Sequence, residues 1–331
     1  MIERLLIKNF KCIDELELLP GMINVIVGRN NTGKTSILQA IESYYNLKPS
    51  KQKVVIVAKE EIGKLKYLIK FGQSEAVIKI NDKPLKLYIN DAEFFGVLGE
   101  MFKKREKVKK WLQLLKEDYI FSERNGKTTL FLPLTVFLIP SKILEKIPEK
   151  EAEVNLLTPK ELDSNVSEFE EAKDKKSVKL KMSVEKTIEK YNIEDIERFQ
   201  NGYVVMKNGD IIPLELFGDG FIQMVILLYH LEKSKDIALL DEPVAFMHPG
   251  YVEKFVEYLI EIVKRKNLQV FISTHNIDFL DALTEYEDSF LNDSLKIIRL
   301  TRIKNKISAK TLSFKEAKEE KEELFTDLRG I

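Results

Sequence analysis

Cysteine, histidine and tryptophan are scarce in this chain of 331 residues, which contains one cysteine, three histidines and one tryptophan. A single cysteine, Cys12, excludes a disulfide framework and any cysteine-rich metal cluster. The chain also lacks an excess of charge of either sign, because 53 Lys and Arg residues balance 53 Asp and Glu residues. This balance excludes a protein that binds nucleic acid through a uniformly basic surface, although it permits a local basic patch.

Long apolar runs are missing as well. The apolar stretches at residues 134–140 and 224–229 are far shorter than the roughly 20 residues of a membrane span. The N-terminus opens on an alternating apolar pattern rather than on a secretory signal. We therefore expect a cytoplasmic protein without membrane contact. A composition of 44% hydrophobic and 32% charged residues is typical of a folded chain and excludes a disordered one.

The spacing of the apolar residues predicts an α/β fold. Strand patterns fill residues 2–27, a helix is expected over 36–46, and an antiparallel β meander is expected over 53–90. A helix is expected over 97–119 and a strand over 128–139. The last third alternates between the two types, with helices over 221–233, 251–264 and 277–283, and strands over 237–240, 269–273, 296–300 and 306–310.

Composition further suggests three parts. Residues 141–202 are rich in charge and poor in large apolar side chains, which predicts a protruding helical lobe rather than central core. This lobe would be inserted between an N-terminal part, residues 1–140, and a C-terminal part, residues 203–331. A hairpin signal at Asn208-Gly209 opens the C-terminal part.

Residues 28–35 read Gly-Arg-Asn-Asn-Thr-Gly-Lys-Thr and match G-x-x-x-x-G-K-[ST] in full. An apolar strand precedes the motif and a helix follows it, which is the context of a phosphate-binding loop. The glycines allow successive N–H groups to point at an anion, Lys34 can reach the β- and γ-phosphates, and Thr35 can bind Mg²⁺. The expected nucleotide-binding residues are Gly28, Arg29, Asn30, Asn31, Thr32, Gly33, Lys34, Thr35 and Ser36.

An apolar strand, residues 237–240, ends in Asp241 and Glu242. Beside the phosphate loop, Asp241 would join Thr35 at Mg²⁺, and Glu242 would be the general base that polarises the attacking water. The alternative is a strand that simply ends in solvated acids.

A second apolar strand, residues 269–273, is followed by Thr274-His275-Asn276. At the end of a strand beside the nucleotide, His275 would bond the γ-phosphate and act in catalysis. The alternative is a polar start to the next helix, with Asn276 as its N-cap.

Gly218-Asp219-Gly220 stands at the start of an apolar helix, where backbone N–H groups favour an anion. Because the chain already has one phosphate loop, this segment suggests a nucleotide held by another subunit. The alternative is a tight loop in which the glycines only turn the chain.

Taken in their order along the chain, these four segments resemble the ABC-type P-loop ATPase heads of the SMC and RecF class. The compact relatives that include the Old-type (overcoming-lysogenization-defect) AAA ATPases are most similar. The resemblance rests on four stretches: residues 5–11, 20–28, 241–249 and 273–276. It implies an ATP hydrolase with a mixed sheet, an antiparallel N-terminal β subdomain and an inserted helical lobe.

The resemblance also implies a homodimer that closes around two ATP molecules, with Gly218, Asp219 and Gly220 contacting the partner's nucleotide. The usual signature serine is replaced by Gly218, and the following Gln or Glu by Phe221. The family's glutamine loop has two candidates, Gln113 and Gln200, and its lobe junction is expected near Ile139-Pro140. No acidic cluster of the kind found in Old-type nuclease domains follows His275, so we expect no nuclease activity.

Two uses of the ATP cycle remain open. The resemblance implies work on double-stranded DNA, and the basic run at residues 103–110 is a candidate DNA contact, although a solvated helix face explains it equally well. Alternatively, ATP gates the docking of an effector protein, with the acidic stretch at residues 159–176 as a candidate surface. A subunit of a membrane transporter is a weaker third interpretation.

Overall fold

The structure, a computed structural model, describes residues 1–47, 54–57, 64–65, 67–89, 120–125, 127–133, 154, 156–158, 195–199, 202–207, 210–213, 219–245, 247–304 and 306–322. Within these ranges, no helix is long and apolar enough to cross a membrane. The element bounds given below refer to this part of the chain.

A six-stranded mixed sheet forms the centre, in the order β16-β15-β3-β14-β13-β9. Five strands run parallel and β16 is antiparallel to β15. All six residues of β3 are buried, as are all five of β13 and of β14, because parallel strands are covered on both faces. The strands are β3 (Ile23–Gly28), β9 (Leu156–Leu157), β13 (Ile237–Asp241), β14 (Gln269–Ser273), β15 (Leu295–Ile303) and β16 (Lys306–Ser313).

Two further sheets are built mainly from antiparallel pairs. The larger has the order β2-β1-β5-β6-β7-β8-β4 and the smaller β10-β11-β12. Their strands are β1 (Leu5–Phe10), β2 (Ile13–Leu18), β4 (Val54–Val57), β5 (Glu75–Ile80), β6 (Lys83–Ile89), β7 (Ile120–Arg124), β8 (Lys127–Pro133), β10 (Asp195–Phe199), β11 (Gly202–Lys207) and β12 (Asp210–Pro213).

Alternate side chains of the central sheet enter two hydrophobic cores. One core lies under most of the helices and contains Val25, Leu240 and Phe255; the other lies under α1 and the seven-stranded sheet and contains Ile26, Leu239 and Ile78. The described helices are α1 (Lys34–Asn46), α2 (Asp219–Lys233), α3 (Pro249–Lys266), α4 (Ile277–Glu285), α5 (Phe290–Ser294) and α6 (Phe314–Glu322).

The alternation of helices and strands predicted for the last third is confirmed, as are the N-terminal strands, the helix after the phosphate loop and the hairpin of β11 and β12. The meander expected over residues 53–90 is only partly right. β5 and β6 form an antiparallel pair, but β4 pairs parallel with β8. An alternating pattern determines which face of a strand is buried and not which strand becomes its partner.

In the stretch 141–202, the structure describes residues 154, 156–158, 195–199 and 202, and these are not helical. The helical lobe expected over the whole stretch stays a prediction. The described residues contain β9, which pairs parallel with β13, and β10. The sequence signal of β9 is only two residues long, and its neighbouring backbone is held by side chains of α1. Asn46 Nδ2 donates to the Val154 carbonyl at 2.7 Å, and the Leu156 N–H donates to Glu42 Oε1 at 3.3 Å. The remaining residues of that stretch, and the helix expected over 97–119, lie outside the described residues.

Candidate functional site

The phosphate loop connects the end of β3 to the start of α1, as its motif predicts. Gly28 has φ +146° and Gly33 has φ +94°, values that L side chains rarely adopt. A Cβ on Gly28 would lie 2.6 Å from the Leu300 carbonyl oxygen, and one on Gly33 would lie 3.1 Å from Ile307 Cδ1. Both glycines are therefore required by the path of the chain and by the packing of β15 and β16 behind the loop.

Lys34 is 8% exposed and folds back into the loop. Its Nζ donates to the Gly28 carbonyl at 2.9 Å and to the Arg29 carbonyl at 3.4 Å. Thr32 Oγ1 donates to the same Arg29 carbonyl at 2.8 Å. No carboxylate pairs with Lys34 among the described residues, so its charge is available to an anion in the loop.

The other loop residues differ in exposure. Arg29, Asn30 and Asn31 are exposed, and the Asn31 carbonyl accepts a hydrogen bond from the Arg302 guanidinium at 3.2 Å. Ser36, which we expected at the nucleotide, is buried, and its Oγ lies 3.4 Å from Cys12 Sγ. The side chain of Ser36 therefore faces the protein interior beneath the loop.

Thr35 lies in the first turn of α1, and Asp241 is the last residue of β13. The two side chains meet there. Thr35 Oγ1 donates to Asp241 Oδ1 at 3.1 Å and to Oδ2 at 3.0 Å. Asp241 is 9% exposed and also accepts a hydrogen bond from Ser273 Oγ. Hydroxyl and carboxylate oxygens are the ligands that Mg²⁺ prefers, so these side chains fit that ion.

Among the described residues, no three His, Cys, Asp or Glu side chains converge on a metal position. A cation beside Thr35 and Asp241 would therefore need further oxygens from outside the chain, such as those of phosphate groups. This donor set is compatible with a Mg²⁺ ion that also takes phosphate oxygens as ligands.

Glu242 and His275 form a pair at the ends of β13 and β14. His275 Nδ1 lies 2.8 Å from Glu242 Oε1, and the His275 N–H donates to Oε2 at 3.2 Å. The side chain of Glu242 is 18% exposed and that of His275 58%. Asn276 accepts from the Phe279 N–H at 2.8 Å and is the N-cap of α4. The segment therefore combines the predicted cap with a histidine that contacts the candidate base.

Asp219 and Gly220 begin α2, and Gly218 lies outside the described residues. A Cβ on Gly220 would meet the Tyr251 ring at 3.4 Å, an ordinary contact. The structure therefore packs this segment against the first turn of α3. Gln113, Gln200, Ile139 and Pro140 also lie outside the described residues.

Two features at the carboxyl ends of the central strands were not predicted from the sequence. The sequence predicts Ser273 as the end of a strand and as part of the stretch 273–276, but it does not predict the hydrogen bond from Ser273 to Asp241. The edge strand β9 aligns Leu157 with Leu240, so Thr158 and Asp241 are the next residues of adjacent parallel strands. Strand pairing between residues this far apart leaves no mark in the local sequence.

Comparisons with known proteins identify the family and the fold. Residues 23–281 match the family described as "AAA domain, putative AbiEii toxin, Type IV TA system". The uncharacterized protein MJECL11 of Methanocaldococcus jannaschii is 31% identical over 114 residues, which are 34% of this chain and 99% of that protein. The OLD nuclease of Thermus scotoductus is 48% identical over 42 residues, 13% of this chain and only 8% of the nuclease.

Solved SMC heads share the fold. One structure of an Smc head bound to the C-terminal winged-helix domain of ScpA has a TM-score of 0.55 at 13% identity, covering 96% of this chain and 99% of that one. An Smc head with an extended coiled coil, bound to the C-terminal domain of ScpA from Pyrococcus furiosus, has a TM-score of 0.51 at 13% identity and covers 98% and 99%. Because the family match spans well over half of the chain, the chain belongs to this AAA-domain family, with the fold of an ABC-type P-loop ATPase head of the SMC and RecF class.

Proposed function

We propose that this chain is a Mg²⁺-dependent ATPase in which two copies enclose ATP between them. The observation that supports this proposal best is the position of Thr35 Oγ1, 3.0 and 3.1 Å from the two carboxylate oxygens of Asp241. These two residues are 206 positions apart in the chain and meet beside the phosphate loop. In that loop the ammonium of Lys34 has no carboxylate partner among the described residues.

In this proposal the N–H groups of the loop, residues 28–36, bind the phosphates, and Lys34 turns from the loop carbonyls to the β- and γ-phosphates. Thr35 and Asp241 hold Mg²⁺, which when bound neutralises charge on the phosphate oxygens. The loop is preformed in its glycine conformations, so binding needs little backbone rearrangement.

Glu242 is assigned as the general base that accepts a proton from the attacking water. His275 is assigned to orient it, because both the ring Nδ1 and the backbone N–H of His275 contact the Glu242 carboxylate. A base held from two sides keeps one orientation, which is what in-line attack on the γ-phosphate requires.

The second copy enters through Gly218, Asp219 and Gly220. We assign this segment to the nucleotide bound by the partner's loop, since the N-terminus of α2 offers backbone N–H groups to an anion. The cytoplasmic location expected from the sequence stays a prediction.

We propose DNA-related work, in repair, maintenance or defence, as the use of the cycle. The basic run at residues 103–110 is its candidate contact and lies outside the described residues. The alternative is an ATP-gated module that controls a partner protein. That alternative is favoured by two SMC heads of similar fold whose solved structures carry a domain of ScpA.

The test is steady-state ATP hydrolysis with and without double-stranded DNA at two salt concentrations. Lys34→Ala should abolish tight ATP binding, and Glu242→Gln should retain binding but lose turnover. Lys315→Ala and Glu319→Gln, on the exposed face of α6, are matched controls that should behave as wild type.

Unchanged ATP affinity in Lys34→Ala would remove the phosphate-loop assignment. Stimulation by DNA that weakens with salt would support the DNA proposal. A measurable rate that is indifferent to DNA would instead favour the partner-gated module.

A further inference from the structure

Gln223 lies in the second turn of α2 and is 7% exposed. Its Nε2 donates a hydrogen bond of 2.8 Å to the carbonyl of Pro243. Pro243 directly follows Glu242. The amide thus connects the helix that begins at Asp219 and Gly220 to the backbone that carries the candidate base.

The backbone at Glu242 needs such support. Glu242 has φ +48°, a left-handed conformation that costs a non-glycine residue on the order of 1 kcal/mol. The residue before a proline is also normally restricted to extended conformations. A turn follows, in which the Ala245 N–H donates to the Glu242 carbonyl at 3.3 Å. An unfavourable conformation of this kind persists only where surrounding contacts hold it.

Gln223 is poorly explained as a purely stabilising residue. Its Oε1 is buried and has no hydrogen-bond partner among the described residues. A buried acceptor without a partner destabilises the folded state, and neighbouring α2 positions such as Met224 and Leu227 are fully buried apolar side chains. An apolar residue of similar volume would fit this environment better.

We propose that Gln223 is a positioning residue that holds the Pro243 carbonyl and thereby the orientation of Glu242. Gln223 also couples the first turn of α2 to the base, because a shift of that turn moves the Nε2 donor. This inference rests on the proposed function. It adds a route by which contact between Asp219-Gly220 and the partner's nucleotide alters hydrolysis in its own chain.

The test compares Gln223→Met with Gln269→Met. Gln269 is also buried, at the opposite end of β14, and its amide bonds the backbone of Ile2 and Gly21. Gln223→Met should lower kcat by about tenfold or more. Its KM for ATP should be unchanged, and its thermal midpoint of unfolding should be unchanged or raised. Gln269→Met should lower the midpoint and leave kcat per folded molecule unchanged.

Hydrogen exchange without nucleotide supplies a readout that does not depend on ATPase activity. The segment 242–247 should exchange faster in Gln223→Met than in wild type or in Gln269→Met, because the Pro243 restraint is lost. Faster exchange together with a lower kcat supports the proposal.

A Gln223→Met protein with wild-type kcat overturns the proposal. So does a loss of kcat that a proportional fall in thermal midpoint explains. If the wild-type chain does not hydrolyse ATP, the proposed function fails, and unchanged exchange over 242–247 then overturns the positioning role independently.

Discussion

At the scale of single residues, Asp241 has the most closely defined environment in the site. Its carboxylate accepts hydrogen bonds from hydroxyls on two other elements, Thr35 on α1 and Ser273 on β14. Ser273 is fully buried and paired in register with Asp241. A donor of this kind orients a carboxylate without occupying the side that faces a metal.

Replacing Ser273 with alanine removes that donor. We expect Ser273→Ala to need about tenfold more Mg²⁺ for half-maximal ATP hydrolysis, because residues behind a metal ligand change metal affinity by about this factor. Mg²⁺-dependent binding of a fluorescent ATP analogue should shift in parallel. Ser308→Ala, on β16, is the control, and equal Mg²⁺ requirements in both variants would refute the role given to Ser273.

The environment of His230 leads to a second prediction at this scale, on how the stability of the fold depends on pH. Burial, and to a smaller degree the ammonium of Lys233, lowers the pKa of His230 to about 4. Its Nε2 has no hydrogen-bond partner among the described residues. Between pH 6.5 and 4 the unfolded chain binds a proton that the folded chain does not, so stability falls as the pH falls through this window.

Urea unfolding at pH 7 and pH 4.5 measures this effect. Between pH 7 and pH 4.5, the free energy of unfolding of His230→Leu should fall by about 2 kcal/mol less than that of the wild type. His248→Asn, which exchanges an exposed N-cap histidine for another capping residue, should keep the wild-type slope. If the free energies of unfolding of wild type and His230→Leu change equally with pH, the lowered pKa of His230 would be contradicted.

At the scale of elements, α1 connects the phosphate loop to the edge of the central sheet. Its first turn carries Lys34 and Thr35, and its last turns carry Glu42 and Asn46. The amide of Asn46 donates to the Val154 carbonyl at 2.7 Å and accepts from the Val154 N–H at 3.3 Å. A side chain thus pairs with backbone as a neighbouring strand would, which explains why so short a strand as β9 joins the sheet.

Removing this pairing should loosen β9. We expect Asn46→Ala to reduce the free energy of unfolding by about 1 to 2 kcal/mol, because the carbonyl and the N–H of Val154 both lose a partly buried hydrogen-bond partner. Asn292→Ala, an exposed position on α5, should change it by less than about 0.5 kcal/mol. If the two variants are equally stable in urea titrations, the pairing of Asn46 with the Val154 backbone does not stabilise the protein.

At the scale of the whole molecule, the proposed site is incomplete in one copy. The segment that begins α2 faces Tyr251 of its own chain and is assigned to the nucleotide of a partner. We expect Glu242→Gln to form a stable dimer with ATP and Mg²⁺ by light scattering, because binding continues while hydrolysis stops. Lys34→Ala should stay monomeric under the same conditions.

A monomeric Glu242→Gln protein at saturating ATP and Mg²⁺ would count against the enclosed nucleotide. It would leave the chemistry of the single site untouched, since the contacts of Thr35, Asp241, Glu242 and His275 all lie within one chain. Dimer formation that requires DNA or a second protein would identify that component as the trigger.

The sequence by itself determined the elements whose signals are local. The phosphate loop, the apolar strands that end in Asp241 and Ser273, the cap at Asn276 and most helices of the last third follow from spacings of a few residues. Helix periodicity, strand alternation and glycine requirements all act over such distances, so they can be read without a partner segment.

Only the tertiary structure decided which of these segments meet. The contact of Thr35 with Asp241 joins residues 206 apart, β4 lies beside β8 rather than in a meander, and β9 is a strand within a stretch expected to be helical. The bond from Gln223 to Pro243 likewise depends on how α2 packs. Such pairings depend on the burial of the chain as a whole, because many partners satisfy one strand's pattern equally well.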